Sequence, residues 1–435
     1  MSPDTIVALA SGSGRAGVAV LRASGPGVRF GLETVAGTLP DPRRATLRRL
    51  RAEDGSVIDE ALVLFFPGPG SFTGEDVAEF HVHGGAAVIR DLLARLSALA
   101  GWRLAGPGEF SRRTVENGRL DLTTAEAISD LVAAETGLQR RQALHGLSGA
   151  LEQQTIRWRI DLLDLAALIE AEIDFPDEGD VPVLMPAVVE RARVLIGSLE
   201  DVLRGADAGE RVREGAVVVL AGPPNAGKST LLNAMARRNV AIVSPIAGTT
   251  RDALEVRLDL GGLPVTLIDT AGLHDSADPL EALGMERSRA RIRDADLVLW
   301  LVPVGDPVGE RPDGALLVRT KADLSGQAMS PVGDELAVSA LSGSGLDRVL
   351  ALVEERARKA MAGGESALVT RIRHRVELST ALDCLRRVAT ASIDSAPELL
   401  AEDVRLALRA LGRLTGRVDI DEIYDRIFST FCIGK

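Results

Sequence analysis

The chain has 435 residues, 46% of them hydrophobic and 26% charged, which is ordinary for a globular protein and long enough for about two to four domains. With 50 basic against 62 acidic residues the net charge is −12, which excludes a generally basic surface; an RNA partner must find a local basic patch. Two distant cysteines, Cys384 and Cys432, exclude a disulfide framework and a cysteine-based metal motif, and without a signal peptide or long apolar run the expected location is the cytoplasm, with no membrane contact.

Residues 1–118 read as mixed α and β. Short strands are expected at 5–10, 17–23, 61–66 and 77–82, punctuated by turn residues such as Pro67, Gly68, Pro69 and Gly70. Residues 86–99 form an amphipathic helix with Val88, Leu92, Leu93, Leu96 and Leu99 on one face. From Leu120 the pattern turns helical, with Thr123 and Thr124 as capping residues, and continues to about residue 173; another helix is expected over 186–204. Acidic residues outnumber basic ones between 119 and 212, a solvated helical face. Residues 213–362 alternate strand and helix as in a covered parallel sheet, and 363–435 is helical again. The economical architecture is therefore a multidomain α/β and α protein: an N-terminal α+β domain (1–118), a discontinuous helical domain (119–212 and 363–435), and an inserted Ras-like P-loop domain (213–362).

The inserted domain carries the chemistry. An apolar strand leads into Gly222, two prolines, Asn225, Ala226, Gly227, Lys228, Ser229 and Thr230, and a helical pattern follows. Glycines let backbone N–H groups crowd around phosphate oxygens, the helix N-terminus adds partial positive charge, Lys228 reaches the β- and γ-phosphates, and the Ser229 hydroxyl suits Mg²⁺. Four further motifs follow in the order that selects GTP. In Gly248-Thr249-Thr250, Thr250 is the ligand expected for Mg²⁺ and the γ-phosphate. In Asp269-Thr270-Ala271-Gly272, Asp269 supports the Mg²⁺ shell and Gly272 N–H senses the γ-phosphate. Thr320-Lys321-Ala322-Asp323 offers a carboxylate to two guanine N–H groups, and Ser339-Ala340-Leu341 supplies a backbone N–H to guanine O6.

Two departures stand out. The guanine motif opens with Thr320 where Asn is usual. Three prolines between 303 and 312 leave little helical promise where a parallel crossover normally needs a helix, so that helix is expected to be absent or vestigial. Leu273 follows the third motif where small signalling GTPases carry a water-positioning Gln, and acidic candidates for that role follow at Asp275, Asp278 and Glu281. An amide oxygen at Asn225 can hold a monovalent cation against the phosphates, doing the work of an arginine finger.

The Asn225 to Ser229 loop, the Gly248 to Asp252 motif and the ending Phe431-Cys432-Ile433-Gly434-Lys435 together resemble the tRNA modification GTPase MnmE (TrmE) family. Ser71-Phe72-Thr73-Gly74-Glu75-Asp76, His83-Gly84-Gly85, Pro107-Gly108-Glu109-Phe110-Ser111 and Leu120-Asp121-Leu122 agree, so the resemblance spans essentially the whole chain. It implies that the N-terminal domain binds folate and dimerises. It implies that the homodimer works with an FAD-dependent MnmG-like partner, as a heterotetramer, to install an aminomethyl or carboxymethylaminomethyl group at C5 of a tRNA wobble uridine. The one-carbon donor would be 5,10-methylene- or 5-formyl-tetrahydrofolate.

Carried over residue by residue, K⁺ ligands would be Asn225, Ser244, Ile246 and Thr249, Mg²⁺ ligands Ser229 and Thr250, and the water-orienting catalytic acid Glu281. Ser244 and Arg119 stand where Thr and Lys are familiar. Folate contacts would be Arg22, Glu79, Arg119 and Lys435, with Glu79 binding the pterin edge bidentately. Cys432 either takes part in the one-carbon chemistry or positions the tail. His81 and His83, two apart on a strand with no third ligand, are structural or substrate-contacting. The alternative function is a GTPase switch or assembly factor in ribosome or RNA maturation, which has no reason to carry the N-terminal domain or the Cys-Ile-Gly-Lys tail. A folate-binding scaffold that has lost hydrolysis is a second, against which Lys228, Ser229, Thr250 and Asp269 argue.

Overall fold

Alternating apolar and polar residues in the first part of the chain build a six-stranded sheet. The computed structural model describes residues 4–12, 14–174, 185–238, 255–270, 290–325, 336–392, 395–418 and 421–434, and the chain forms two units, Met1–Ser129 with Arg409–Lys435, and Asp130–Leu408.

The first unit contains β1 (Thr5–Leu9), β2 (Ala16–Ser24), α1 (Val28–Ala36), β3 (Thr46–Arg51), β4 (Val57–Phe66), β5 (Val77–Gly84), α2 (Ala86–Ser97), β6 (Trp102–Leu104) and α3 (Glu109–Glu116). The strand order is β3-β4-β5-β2-β1-β6, antiparallel throughout except for the β1–β6 pair. Because side chains alternate across a strand, Val7, Leu21, Val63 and Phe80 face one way and pack with Leu32 of α1 and with Leu92 and Leu96 of α2. Ile6 and Ala8 face the other way and meet Phe110 of α3 and Phe72. That second face carries Arg22 and Glu79, because Arg22 is the register partner of Ala8 on one side and of Glu79 on the other.

The last helix of the chain, α14 (Asp421–Phe428), closes this unit. Tyr424, Phe428 and Phe431 pack with Val115, Leu122 and Ala125, and the three rings meet edge to face at 5.5 and 5.1 Å. Strand β3 and helices α1 and α3 escape the sequence pattern. Strand β3, Thr-Leu-Arg-Arg-Leu-Arg, is an edge strand, where charge protects against unwanted pairing but hides the alternation.

The second unit begins within α4 (Leu122–Ala133) and continues through α5 (Gly137–Leu147), α6 (Ala150–Asp174), α7 (Met185–Arg204) and α8 (Ala206–Glu214). Helix α6 buries Leu151, Thr155, Trp158, Leu162, Leu165 and Ile169, a strict four-three spacing that forms one apolar seam. Helix α7 packs against α6 and against α12 (Ile372–Ala389), and Trp158 Nε1 donates to Ser198 Oγ at 2.8 Å.

Between these helices lie β7 (Ala216–Ala221), α9 (Lys228–Arg238), β8 (Glu255–Leu260), β9 (Leu263–Asp269), a helical segment at 290–294 (α10), β10 (Leu297–Pro303), β11 (Leu316–Thr320), β12 (Leu336–Ala337) and α11 (Leu346–Ala360). Helix α13 (Pro397–Thr415) follows α12. The sheet order is β12-β11-β10-β7-β9-β8, parallel except for β8, as in a Ras-like nucleotide-binding domain.

One face of this sheet packs on α9 and α11 through Leu231, Leu232, Met235, Val349 and Val353. Among the described residues the opposite face has the smaller apolar cluster, formed by Val219, Ala221, Ile268, Val298 and Ala315 with Trp300 and Ile292 partly covered. The β10–β11 connection adds no helix to it. Residues 304–315 contain no helix, as the prolines led us to expect. The parallel pair is joined instead by an exposed irregular segment, held at its ends by Val304 N–H to the Thr320 carbonyl (2.9 Å) and Arg319 Nη1 to the Asp306 carbonyl (2.8 Å).

Candidate functional site

The phosphate loop leaves β7 at Gly222, whose φ is +145° and where an added Cβ would lie 2.2 Å from the Leu301 carbonyl oxygen, so only glycine fits. Asn225 is left-handed at φ +60°, which asparagine tolerates, and its side chain is exposed on the rim of the loop. Ala226 is fully buried beneath it. Lys228 opens α9, is buried, and donates to the carbonyls of Gly222 and Pro223 at 3.0 Å each. Burial pushes its pKa down, and the Asp269 charge opposes this. An ammonium already lying along the loop, satisfied by its carbonyls, is placed to move onto a phosphate.

Ser229 Oγ donates to Asp269 Oδ2, so two of the expected Mg²⁺-shell groups sit in direct contact. Asp269 is the last residue of β9 and fully buried. Thr270 does structural work: its N–H (3.3 Å) and Oγ1 (2.9 Å) both donate to the Leu220 carbonyl, tying the end of β9 to β7. Thr230 is exposed on the first turn of α9.

The base motifs also converge. Ser339 Oγ donates to Asp323 Oδ1 at 2.6 Å and accepts from Ser342 N–H at 3.2 Å, which fixes the plane of the carboxylate that would read guanine. Lys321 is left-handed at φ +57°, and Ala322 N–H bonds to the Val338 carbonyl. Leu341 is exposed and Ala340 half-buried beside it. Thr320 Oγ1 donates to the Ala226 carbonyl at 2.6 Å, a link to the phosphate loop that no local pattern around Thr320 announces. Ser244, Ile246, Thr249, Thr250, Ala271, Gly272 and Glu281, together with Leu273, Asp275, Asp278 and the terminal Lys435, lie outside the described residues.

Comparison with known proteins decides the family. A sequence model described as the MnmE helical domain matches residues 122–432, and one described as the GTP-binding protein TrmE N-terminus matches residues 5–119. The "tRNA modification GTPase MnmE" of Methylobacterium radiotolerans is 53% identical over 440 residues, 99% of this chain and 99% of that protein. The chain belongs to the MnmE (TrmE) family of tRNA modification GTPases.

Other MnmE relatives, from Methylobacterium sp. strain 4-46 (54% identical; 99% of this chain, 100% of the relative) and Bradyrhizobium sp. strain BTAi1 (50%; 99% of each), also match end to end. Among solved structures, the G domain of the T. maritima FeoB iron transporter aligns with 33% of this chain and 98% of its own, at 23% identity and a TM-score of 0.24. Among the described residues no helix is long and apolar enough to cross a membrane.

The N-terminal unit brings together some of the residues expected at a second site. Arg22 Nε and Nη2 both donate to Glu79 Oε1, at 3.1 and 2.9 Å, and the guanidinium lies 5.7 Å from the Phe72 ring centroid. His81 Nε2 lies 3.3 Å from Glu79 Oε2. The carboxylate expected to stand open for a pterin edge is therefore engaged on both oxygens, by groups on the same sheet face. His83 Nδ1 pairs separately with Asp59 at 2.8 Å.

Arg119 is exposed, with its side-chain stem beside Gly74. Phe72 and His81 had a signal in the sequence, since both lie within or next to the motifs that carry the resemblance. Their convergence on Arg22 and Glu79 needed the strand register.

The C-terminal tail reaches the same unit. Gly108 N–H donates to the Cys432 carbonyl at 3.3 Å, and Pro107 and Ile433 form an antiparallel bridge. Gly434, at φ +96°, passes so close to β1 that a Cβ there would lie 2.3 Å from the Leu9 carbonyl oxygen. The tail thus runs past the end of β1 at Leu9 and Ala10; Ala8, one residue earlier in that strand, is the register partner of Arg22. Cys432 itself is exposed.

Beneath this face lies a buried charge network. Arg113, 2% exposed, donates to the Asp4 backbone and side chain, to Glu75 Oε2 (3.1 Å) and to Glu109 Oε1 (3.3 Å). Ser24 Oγ donates to Glu75 Oε2 at 2.7 Å, so the network anchors the loop that carries Phe72.

Proposed function

We propose that this GTP hydrolase of tRNA modification is a K⁺-stimulated, Mg²⁺-dependent enzyme. In this proposal it works in the cytoplasm as a homodimer with an MnmG-like flavoprotein, adding an aminomethyl-type group at C5 of the tRNA wobble uridine. The observation that carries the K⁺ reading is Asn225. Its left-handed backbone raises an exposed amide onto the rim of the phosphate loop, where a carbonyl oxygen can hold a monovalent cation beside the phosphates. Ser244, Ile246 and Thr249 would complete the set.

The residues present also suit Mg²⁺: a hydroxyl at Ser229 and a carboxylate at Asp269 in mutual contact form a hard oxygen pair. Ser229 and Thr250 would be the Mg²⁺ ligands, and Asp269 would support the shell. Lys228 would neutralise the β- and γ-phosphates, Glu281 would orient the attacking water, and the Asp323–Ser339 pair would select guanine. A potassium ion at Asn225 would stabilise the charge that develops on the leaving oxygens, the work an arginine finger does elsewhere.

The N-terminal unit suits a tetrahydrofolate: the charged Arg22–Glu79 pair, His81 and the Phe72 ring offer hydrogen bonds and a stacking surface on one sheet face. The one-carbon unit would come from the folate when it is bound. Arg22 would release Glu79 to bind the pterin edge and turn, with Arg119 and Lys435, to the acidic tail of the ligand. The tail brings Cys432 to the same unit, where it positions the ligand or takes part in the chemistry.

The test is GTP hydrolysis by the purified protein in KCl and in NaCl at equal ionic strength. Potassium should accelerate turnover by about tenfold or more, and Asn225→Ala should remove most of that gain. Equal rates in both salts for the wild type would sink the potassium mechanism.

A further inference from the structure

The hairpin β8–β9 separates two parts of the nucleotide site. Strand β8 starts just after the Gly248 to Asp252 motif, and β9 ends on Asp269. Its tip therefore lies roughly 20 Å from the nucleotide end, at about 3.3 Å per residue.

Both ends of β8 are held. Near the nucleotide, Glu255 pairs with Arg291 of α10 at 3.4 Å, on the segment that follows Asp269-Thr270-Ala271-Gly272 in sequence. Two residues on, along the same strand face, Arg257 pairs with Glu135 at 3.5 Å, just before α5. At the tip, Leu138 N–H donates to the Gly262 carbonyl at 3.4 Å and the Leu138 side chain packs into the core of the nucleotide-binding domain.

Glu135 is set on a rigid mount. Gln139 Oε1 accepts from the N–H groups of Glu135 (3.0 Å) and Thr136 (3.1 Å), and the Thr136 capping box starts α5. Gln139 Nε2 donates to the Arg213 carbonyl (3.0 Å), close to the start of β7. Glu135 is mostly buried and Arg257 mostly exposed, so the carboxylate is the fixed partner and the arginine the movable one. Both line a polar cavity of about 260 Å³, which gives the Arg257 side chain room to move, while Leu258 and Leu260 of the same strand are buried in the core, so a displacement of β8 is carried by the strand as a unit.

We propose that Glu135 is a positioning residue that, through Arg257, ties strand β8 to the helices after α4, so that changes at the nucleotide site reach the helical part of the chain along β8. The Glu255–Arg291 pair would be the input, because it joins the strand leaving one γ-phosphate motif to the helix beyond the other. The Arg257–Glu135 pair would be the output. Neither Glu135 nor Arg257 belongs to the motifs assigned to the nucleotide, so the proposal separates two activities that a defect in the site itself would lose together.

The experiment uses full-length Glu135→Arg, Arg257→Glu and the double variant. GTP turnover is measured on purified protein, and wobble-modified nucleoside is measured in tRNA from cells whose own copy has been replaced. Each single variant should keep kcat and KM for GTP within about twofold and lose about tenfold or more of the modified nucleoside, and the double variant should recover most of it, the mark of a direct pair. If Glu135→Arg does not fold, Glu135→Gln, which keeps the volume, should show the same split.

Single variants that modify tRNA normally, or a double variant no better than the singles, would overturn the proposal. So would GTP turnover falling in step with modification. The proposal rests on GTP hydrolysis serving tRNA modification: a wild-type protein lacking either activity would overturn that reading and this one together, whereas sound wild-type activities with unresponsive variants would overturn this one alone.

Discussion

Thr320 Oγ1 donates a 2.6 Å hydrogen bond to the Ala226 carbonyl, joining the guanine-reading motif to the phosphate loop. Both residues are buried. The residue that stands where asparagine is usual therefore spans to the loop, and links the base and phosphate halves of the site. Thr320→Val keeps the shape but leaves a buried carbonyl without its donor, at a cost of about 1–3 kcal/mol, or roughly 5- to 150-fold. We expect GDP and GTP affinity to fall together by such a factor, read by titration of a fluorescent nucleotide, while Thr320→Ser stays near wild type. Unchanged affinity in Thr320→Val would show that the link does not support binding.

Ser229 Oγ touches Asp269, two hard oxygens at the phosphate end of the site. If Mg²⁺ takes Ser229 Oγ on binding, with Asp269 supporting the shell, chelating it should weaken GDP affinity in the wild type by about tenfold or more and leave Ser229→Ala, already weak, little changed. Paired titrations with and without a chelator check this. Equal sensitivity in the two proteins would remove Ser229 from the metal shell.

The charge network of the N-terminal unit predicts its acid behaviour. Burial raises the Glu109 pKa, but hydrogen bonds from Arg103 and from Gly106 N–H, with the charges of Arg103 and Arg113, outweigh it and hold the carboxyl below its usual range. Asp4 is lowered in the same way, burial again being outweighed by Arg103 and Arg113. A depressed carboxylate stabilises the fold fully above its unfolded pKa, about 4, and the contribution is lost as pH falls through the lower folded value. Glu109→Gln should thus be less stable than wild type at pH 7, and the gap should close on acidification. Amide exchange across the first unit, followed from pH 7 down to about 3, measures it. A gap that stays constant with pH would assign the loss to shape and not to charge.

What could be read from the sequence was whatever is local. The phosphate loop, the order of the motifs and the missing β10–β11 helix each declare themselves within about a dozen residues, because glycine and proline act on their own backbone. What could not be read was pairing across distance. Glu79 looked like an open carboxylate until the strand register set Arg22 beside it, 57 residues away in sequence. Nothing in the sequence around Arg113 marks it out, yet it is almost wholly buried, because Asp4, Glu75 and Glu109 come to it from three segments. The link from Thr320 to Ala226 spans 94 residues and gives the departure from asparagine a contact of its own.

The last prediction concerns the tail. Gly434 runs against the end of β1 at a distance no side chain allows: a Cβ added there would sit 2.3 Å from the Leu9 carbonyl oxygen, and the φ of +96° is itself costly for any other residue. Gly434→Ala should therefore lift the end of the tail from β1 and weaken the Pro107–Ile433 bridge and the Gly108 N–H bond to the Cys432 carbonyl. The nucleotide site lies in the other unit, so GTP turnover in KCl should stay within about twofold of wild type. Exchange at the Gly108 amide should quicken, and tRNA modification should fall if Cys432 and Lys435 act beside Arg22 and Glu79. Faster exchange with modification intact would confine the tail to a structural role. Unchanged exchange would show that β1 yields to the added methyl group.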